Sequence, residues 1–354
     1  MTQIILEPRL APLPFMRVGA PLLALCLAMT AAAPLFWNLG LHPLSMLRMF
    51  FVAPLQSWNG VSEWLLKASP LVLIALGLTV SFRANVWNIG AEGMYTVGAI
   101  CAAWLGLNCG DAAGGWLLPA MAVSGIAGGM VWAAIPALLK TKANSSEILV
   151  SLMLNYVAAL ILQYLVNGPM QDPDGLNYPQ SASLPAAAMF TPLVAGMRIN
   201  ASVLITLVAA GSTWLFLERS FLGFQLSVAG TAPRAADYAG FDRARIIWLS
   251  LLLSGATAGL AGMMEVSGPL GQLSPVISPG YGFTAIIVAF VGRLSAVGVL
   301  FAGLAISLLY LGGEAAQISL NVPASLTRSL QGLVLFFLLA ADVLVRFRVR
   351  ILRL

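Results

Sequence analysis

Long apolar stretches alternate with short polar connectors along nearly the whole chain. A helix that crosses a bilayer needs about 20 mostly apolar residues, and ten stretches approach that length. They are residues 18–36, 62–82, 89–107, 116–139, 147–166, 199–217, 246–266, 276–292, 296–312 and 326–345. The pattern therefore predicts an all-α polytopic membrane protein with about ten transmembrane helices.

Two of these spans are irregular. The span at 89–107 opens with Gly90 and Gly93, and residues 278–282 (Ser-Pro-Gly-Tyr-Gly) interrupt the span at 276–292. Inside a membrane, proline and glycine free backbone polar groups that only protein or a water-lined cavity can satisfy. Interrupted segments, one in each half of a transporter, indicate its pathway. An ordinary loop before a shorter helix also explains the second interruption.

Composition supports the membrane assignment. Of the 354 residues, 60% are hydrophobic and only 9% are charged, and the mean hydropathy is +0.91. A soluble domain carries roughly 25% charged residues, so a soluble protein is excluded. No segment resembles a separate soluble domain, and residues 1–354 are predicted to form a single transmembrane domain.

The positions of the basic residues predict the topology, because cytoplasmic loops are enriched in lysine and arginine. With the N-terminus inside, fourteen of the 18 basic residues lie on the inner side. These are Arg9, Arg17, Arg83, Lys140, Lys142, Arg219, Arg234, Arg243, Arg245, Arg293, Arg346, Arg348, Arg350 and Arg353. The outer side receives Arg48, Lys67, Arg198 and Arg328. Both termini are therefore expected in the cytoplasm, and the net charge of +5 follows topology rather than nucleic-acid binding.

Two segments outside the spans fit the same scheme. Residues 1–17 contain three prolines and no small-residue cleavage site follows the first apolar run, so they are interpreted as a cytoplasmic tail rather than a signal peptide. Residues 44–55 are too short to cross and contain Arg48, which favours a helix at the outer membrane interface.

A polar string between two apolar runs is the main candidate for function. It contains Asn85, Asn88 and Glu92 in the sequence FRANVWNIGAEG at residues 82–93. A carboxylate beside hydrocarbon is costly and indicates a functional site. If one helix continued through the string, the three side chains would share a face. The alternative is a hairpin turn in which both asparagines cap helix ends and Glu92 pairs with Arg83.

The sequence lacks the residues that a histidine-based active site, a metal site or a nucleotide-binding loop requires. His42 is the single histidine, so a histidine triad or a metal cluster is not expected. The three cysteines lack metal-ligand spacing and suit apolar packing. None of the lysines follows glycine as in a phosphate-binding P-loop. No cofactor is predicted, and energy for transport would come from an ion gradient or from another subunit.

A long inner connector at 218–245 contains a predicted short helix over 232–239. Thr231 can cap its start, Pro233 suits its first turn, and Gly240 can end it. Asp242 can then cap the following span. Such a helix suits docking into a soluble partner, although a solvated connector without a partner has the same sequence features.

At this connector the chain resembles the permease subunits of ATP-binding-cassette (ABC) importers, in the branched-chain amino acid, simple sugar and nucleoside permease family. The family's loop motif is matched by Gly223, Gly230, Ala235, Ala236 and Gly240. The NIGAEG string at 88–93 resembles the larger permease of the nucleoside (guanosine-like) subgroup. Further matches are Glu147 with MLNY at 153–156, GLAG at 259–262 with Glu265, and YGFTAI at 281–286 before GRL at 292–294.

The resemblance implies a type II ABC importer fold and a transport pathway with a separate coupling segment. The implied pathway residues are Asn85, Asn88, Glu92, Asn155, Glu265, Tyr281 and Thr284. The implied ATPase-coupling residues are Thr231, Pro233, Arg234, Ala235, Ala236, Asp237 and Gly240.

The resemblance also implies partners and cargo. Two cytoplasmic ATPase subunits, a second permease (homologous or identical) and a periplasmic or lipid-anchored solute-binding protein would act with this chain in a bacterial inner membrane. A purine nucleoside is the expected cargo, with a simple sugar as the alternative. The permease itself would not be an enzyme. The rival hypothesis is an ion-coupled secondary transporter that uses Glu92 or Glu265.

Overall fold

The computed structural model describes residues 2–8, 43–175, 177–320 and 347–353, with scattered positions at 23–37 and 323–341. Its helices are α1 (Pro43–Phe51), α2 (Trp58–Arg83), α3 (Ala91–Cys109), α4 (Leu117–Ala143), α5 (Glu147–Val166), α6 (Ala201–Arg219), α7 (Phe221–Thr231), α8 (Pro233–Tyr238), α9 (Arg243–Glu265), α10 (Tyr281–Val291) and α11 (Ala296–Leu320). Its two strands are β1 (Thr2–Pro8) and β2 (Phe347–Arg353).

Six helices of the described residues are long and apolar enough to cross a membrane, namely α2, α4, α5, α6, α9 and α11. They correspond to six of the predicted spans. The predicted span at 89–107 forms α3, which is not among the six because Glu92, Thr96 and Asn108 lower its hydropathy. The predicted spans at 18–36 and 326–345 lie largely outside the described residues. The predicted total of ten is therefore not confirmed.

The predicted span at 276–292 is a half-length helix preceded by a non-helical segment, an arrangement that the alternative of a loop before a shorter helix also describes. The helix in this region, α10, has 11 residues and is about 16 Å long, roughly half the thickness of a bilayer's hydrocarbon core. Before it, α9 ends in a π-helical turn at Val266–Leu270, and residues 271–280 are non-helical. Backbone N–H groups of Ser181, Leu184 and Phe190 donate to carbonyls in 267–273, so the freed carbonyls are satisfied by protein.

Residues 62–307 form one compact unit. Its centre is built by α3, α4 and α9, which meet through glycines. A Cβ atom added to Gly129 would lie 2.1 Å from the Gly255 carbonyl oxygen, and one added to Gly98 would lie 2.3 Å from the Gly259 Cα atom. Gly125 and Gly129 on α4, and Gly255 and Gly259 on α9, are each four residues apart, a spacing that serves close helix packing within this chain.

Residues 1–61 and 308–354 form a second compact unit, which has its own core of Ala28, Ala32, Phe50, Leu309, Ala316 and Val334. The predicted interfacial segment at 44–55 contains α1 and a short 3-10 turn at Ala53–Leu55.

The expectation of an all-α protein is wrong at the chain ends, where β1 and β2 pair antiparallel. Arginine alternates with apolar residues in Phe347–Ile351, which is the period of a strand rather than of a helix. The backbone register places Glu7 opposite Arg348. Most of the predicted tail beyond β1 lies outside the described residues.

Candidate functional site

The polar string at 82–93 does not form one continuous helix. α2 ends at Arg83, and α3 begins at Ala91. Asn85 adopts a positive φ of 56°, a conformation that asparagine tolerates better than most residues. Its side-chain oxygen accepts a hydrogen bond of 3.1 Å from Trp87 Nε1. Asn85 is exposed and shapes the turn, so the expectation that it shares a helical face with Glu92 is wrong.

Asn88 is fully buried at the bend between α2 and α3. Its Nδ2 donates to Ser254 Oγ on α9 at 2.9 Å, and its Oδ1 accepts from the Gly90 backbone N–H at 2.9 Å. A Cβ atom added at Gly90 would lie 2.8 Å from Ser151 Cβ on α5. Asn88 therefore fixes the start of α3 against α9. The neighbouring position 90 has room only for glycine.

Asn155 on α5 fastens the same bend from the other side. Its Oδ1 accepts from the Gly93 N–H at 2.8 Å and its Nδ2 donates to the Ile89 carbonyl at 2.8 Å. Ser151 Oγ accepts from the Ile89 N–H at 3.1 Å. The first N–H groups of a helix have no partner within the helix, and these side chains supply partners. Asn88 and Asn155 are thus brought together around the start of α3.

Glu92 binds the start of the half-length helix α10. Its Oε2 accepts a hydrogen bond of 2.6 Å from the backbone N–H of Gly282, and the Ser278 side chain and Phe283 N–H also bond to the carboxylate. A Cβ atom added at Gly282 would lie 2.3 Å from the Glu92 nitrogen. A carboxylate at a helix N-terminus pairs with free N–H groups and with the positive end of the helix dipole. Glu92 therefore joins the start of α3 to the start of α10.

The alternative pairing of Arg83 with Glu92 is wrong. Arg83 Nη2 lies 2.6 Å from Glu218 Oε1 at the end of α6, and Arg83 Nε donates to the Leu294 carbonyl at 2.7 Å. Arg83 thus ties the end of α2 to α6 and to the turn after α10. The Glu92 carboxylate instead bonds to groups at the start of α10, as described above.

The remaining pathway candidates, Glu265, Tyr281 and Thr284, are all buried, with 9%, 3% and 6% of their surface exposed. The Tyr281 ring packs edge-on against Tyr95, with ring centroids 6.3 Å apart. Tyr95 interacts electrostatically with Glu265, Tyr281 and Glu92. The sequence analysis did not identify Tyr95. The feature that could have identified Tyr95 is its position three residues after Glu92, which puts the two side chains on the same face of a helix.

The predicted inner connector contains two helices, α7 and α8. Helix α7 was not predicted. In α8, Pro233 occupies the first turn as predicted, and Gly240 follows the helix with a φ of 75°. Thr231 is not the cap: its hydroxyl donates to the Ser227 carbonyl and Ala232 holds the cap position. Asp242 caps α9 as predicted, accepting from Ala244 and Arg245 N–H groups.

One side of α8 faces inward and the rest is exposed. Ala236 is 1% exposed, so its small size is explained by packing within this chain, beside a pocket of about 320 Å³. The other predicted coupling residues are exposed: Thr231, Pro233, Arg234, Ala235, Asp237 and Gly240. Asp237 is paired with Arg243, with Oδ1 and Nε 2.6 Å apart. Tyr238 is 98% exposed, which is unusual for an aromatic side chain.

Metal-ligand geometry is not found in the described part of the chain, where no three His, Cys, Asp or Glu side chains cluster. The cysteines at 26, 101 and 109 are free thiols. The polar residues of the site bind backbone groups and one another, so they hold helix ends in place.

Comparison with known proteins assigns the chain to a family. Residues 60–339 match the model described as branched-chain amino acid transport system / permease component. The glucose ABC transporter permease protein TsgB13 of Haloferax volcanii is 36% identical, over 98% of this chain and 93% of its own length. The guanosine ABC transporter permease protein NupP of Bacillus subtilis is 31% identical, over 82% and 85%. The nucleoside ABC transporter permease protein NupB of Lactococcus lactis is 26% identical, over 91% and 90%.

Among solved structures, the PsaBC complex of Streptococcus pneumoniae bound to Fab has a chain 13% identical to this one, over 81% of this chain and 91% of that chain, with a TM-score of 0.46. That similarity is too low to support an argument. The family match and the apolar helices identify a multi-pass membrane protein. The chain belongs to the family of permease components of branched-chain amino acid transport systems.

Proposed function

We propose that this chain is the transmembrane permease subunit of an ATP-driven importer for a small hydroxylated solute, either a simple sugar or a nucleoside. The observation that carries the proposal is the family match over residues 60–339 together with relatives that are ABC transporter permease proteins. The chain is a transport subunit and not the enzyme that hydrolyses ATP.

The solute class rests on the named relatives. The glucose permease is 36% identical and the guanosine permease is 31% identical, so sequence similarity favours neither a sugar nor a purine nucleoside decisively. Both solutes contain a ring with several hydroxyl groups. A pathway lined by amide, carboxylate and phenol groups suits such rings, because these groups donate and accept hydrogen bonds.

The proposed pathway lies where α10 meets α3. In transporters, half-helices that end within the membrane direct their termini toward the transported solute. Glu92 occupies the N-terminus of α10, and Asn88 and Asn155 hold the bend beside it. Glu265, Tyr281 and Thr284 complete the proposed lining. Asn85 lies on the exposed turn and is proposed to line the inner end of the passage.

The proposed contact with the ATPase subunits is the exposed side of α8. Arg234, Ala235, Asp237 and Tyr238 are exposed there, and the inward Ala236 anchors the helix to its own chain. A contact with α2 supports mechanical coupling: a Cβ atom added at Gly230, at the end of α7, would lie 2.0 Å from the Arg83 carbonyl oxygen. Movement of α7 and α8 would thus reach the bend at 84–90 through direct backbone contact.

The proposed assembly contains two ATPase subunits, a second permease that is homologous or identical, and a periplasmic or lipid-anchored solute-binding protein. The distribution of basic residues supports a cytoplasmic position for both termini under the positive-inside rule. Among the described basic residues, Lys140, Lys142, Arg219 and Arg243 lie at the predicted inner ends of helices.

The experiment that tests the proposed function is uptake by the assembled complex in proteoliposomes with saturating solute-binding protein and ATP. Radiolabelled D-glucose and guanosine are compared under identical conditions, with L-leucine as the control for the amino acid branch of the family. Uptake of glucose or guanosine, but not leucine, is expected. Uptake of leucine alone, or of none of the three, contradicts the proposed solute class.

A further inference from the structure

The hydroxyl of Tyr95 is a buried polar group for which the described part of the chain supplies no hydrogen-bond partner. Tyr95 is 0% exposed, and among the described residues its hydroxyl has no hydrogen-bond partner. A hydroxyl in this position has lost its contact with water and gained no replacement. Unsatisfied buried groups are uncommon in folded proteins, and each calls for a reason.

The surroundings of Tyr95 are charged and aromatic rather than purely apolar. Glu265 on α9 and Glu92 on α3 lie near enough to Tyr95 for their carboxylate charges to act on its hydroxyl. A Cβ atom added at Gly262 would lie 2.1 Å from the Tyr95 carbonyl oxygen, so the backbones of α3 and α9 are in direct contact. Glu265 follows Gly262 by three residues on the same face of α9, which puts it within about one helical turn of the level of Tyr95.

Tyr281 covers Tyr95 in this structure, with the two rings edge to face. Tyr281 is the first residue of α10, next to Gly282, which donates to Glu92. Helix α10 is short, and the segment before it is non-helical. A displacement of the start of α10 would therefore carry the Tyr281 ring away from the Tyr95 ring.

We propose that the Tyr95 hydroxyl and the Glu265 carboxylate form a recognition site for a hydroxyl group of the transported solute, closed in this structure by Tyr281. This inference rests on the proposed function and names the part of the solute that is recognised. A carboxylate accepts from a solute hydroxyl, and a phenol both donates and accepts. The faces of Tyr95 and Tyr281 provide flat apolar surfaces against which a sugar ring or a base can pack.

The site is tested with Tyr95→Phe, which removes the unpaired hydroxyl and leaves the ring. Tyr164→Phe is the matched control, because it removes the same group from a side chain that is 69% exposed on α5. Uptake of D-glucose, of guanosine and of their singly deoxygenated analogues is measured in proteoliposomes at saturating solute-binding protein. Dividing each variant rate by the wild-type rate for the same solute removes the contribution of the binding protein, which is unchanged.

Tyr95→Phe is expected to lower uptake of the natural solute by roughly three- to tenfold, the range for one lost hydrogen bond. For one deoxy analogue, Tyr95→Phe should lower uptake much less, because that analogue already lacks the hydroxyl group that Tyr95 contacts. Glu265→Gln should also lower uptake of the natural solute and should have a much smaller effect on uptake of the same deoxy analogue. Tyr164→Phe should match wild type.

Two outcomes overturn the inference while leaving the proposed function intact: wild-type uptake by Tyr95→Phe, or an equal loss for the natural solute and every analogue. The second outcome would assign Tyr95 to movement of the helix rather than to recognition. Failure of the wild-type complex to import either solute contradicts the proposed function itself.

Discussion

The carboxylate of Glu92 accepts a hydrogen bond of 2.6 Å from the backbone N–H of Gly282, although the two residues are 190 positions apart in the chain. The contact joins the first turns of two helices, α3 and α10. Gly282 has no room for a side chain, because an added Cβ atom would lie 2.6 Å from the Glu92 Cα atom. Glu92 therefore serves as the N-terminal cap of a helix that begins inside the bundle.

This contact predicts different results for two substitutions of Glu92. Glu92→Gln keeps a side-chain oxygen that can accept from Gly282, so the complex should assemble in normal yield while uptake changes. Glu92→Leu leaves the Gly282 N–H unpaired, which should cost about 1–3 kcal/mol of stability. Yield of the assembled complex and the unfolding midpoint in detergent are measured beside uptake. Normal uptake by both variants would remove Glu92 from the pathway.

Tyr238 is predicted to be an anchor for the ATPase subunit. Exposed aromatic side chains that become buried on binding commonly dominate interface energies, at about 2 kcal/mol or more. Tyr238→Ala should weaken ATPase association at least roughly tenfold without changing the stability of the isolated permease, since the side chain is 98% exposed. The affinity is measured with purified ATPase in detergent.

Tyr178→Ala is the matched control for Tyr238, because Tyr178 is 68% exposed but lies in the predicted outer segment between α5 and α6. It should bind the ATPase like wild type. Equal affinity for all three proteins would leave α8 as a connector without a partner.

Gly230 is predicted to transmit movement from α7 to the bend at 84–90. In Gly230→Ala the new Cβ atom would lie 2.0 Å from the Arg83 carbonyl oxygen, so the helix must shift. We expect uptake per assembled complex to fall several-fold, with ATPase association retained. Displacing packed backbone costs about 1–3 kcal/mol, so the unfolding midpoint should also fall.

Gly211→Ala provides the control for Gly230, as it makes the same change within helix α6 with no atom within 4 Å of the new Cβ. It should be neutral or stabilising by about 0.5–1 kcal/mol, because alanine favours a helix interior over glycine. If Gly230→Ala behaves in the same way, α7 does not transmit movement through this contact.

Arg83 and Glu218 form an ion pair whose members are predicted to contribute unequally. The pair itself is partly exposed, and pairs of that kind contribute about 0.2–1 kcal/mol. Arg83 also donates to the Leu294 carbonyl at 2.7 Å, so Arg83→Ala should destabilise the protein more than Glu218→Ala. A double-mutant cycle on the unfolding midpoint measures the difference. A larger effect of Glu218→Ala would show that the Leu294 contact contributes little.

Local signals in the sequence predicted part of this architecture. The span predicted at 147–166 from the length of its apolar stretch has the same bounds as α5. Asp242 was predicted as the cap of the next helix and occupies that position. Proline and glycine at 278–282 indicated a break in regular helix, and α10 begins within that segment, at Tyr281.

Contacts between distant residues could not be predicted in the same way. Nothing near Glu92 in the sequence indicates that its partner is Gly282, and the nearby Arg83 suggested a pairing that the structure does not contain. Helix α7 was missed because its glycines, Gly223 and Gly230, weaken the helical signal while serving close packing. Tyr95 was not identified because its proposed role depends on its position near Glu265 and Tyr281, which lie on other helices.

The central claim is that ATP hydrolysis by partner subunits drives transport through this chain. The most direct test measures solute uptake into proteoliposomes containing the chain with and without its ATPase subunits, comparing ATP, a non-hydrolysable ATP analogue and an imposed proton or sodium gradient. We predict uptake only with the ATPase subunits, the solute-binding protein and hydrolysable ATP, and no effect of a protonophore. Uptake driven by an ion gradient without nucleotide or partners would contradict the claim and identify an ion-coupled secondary transporter.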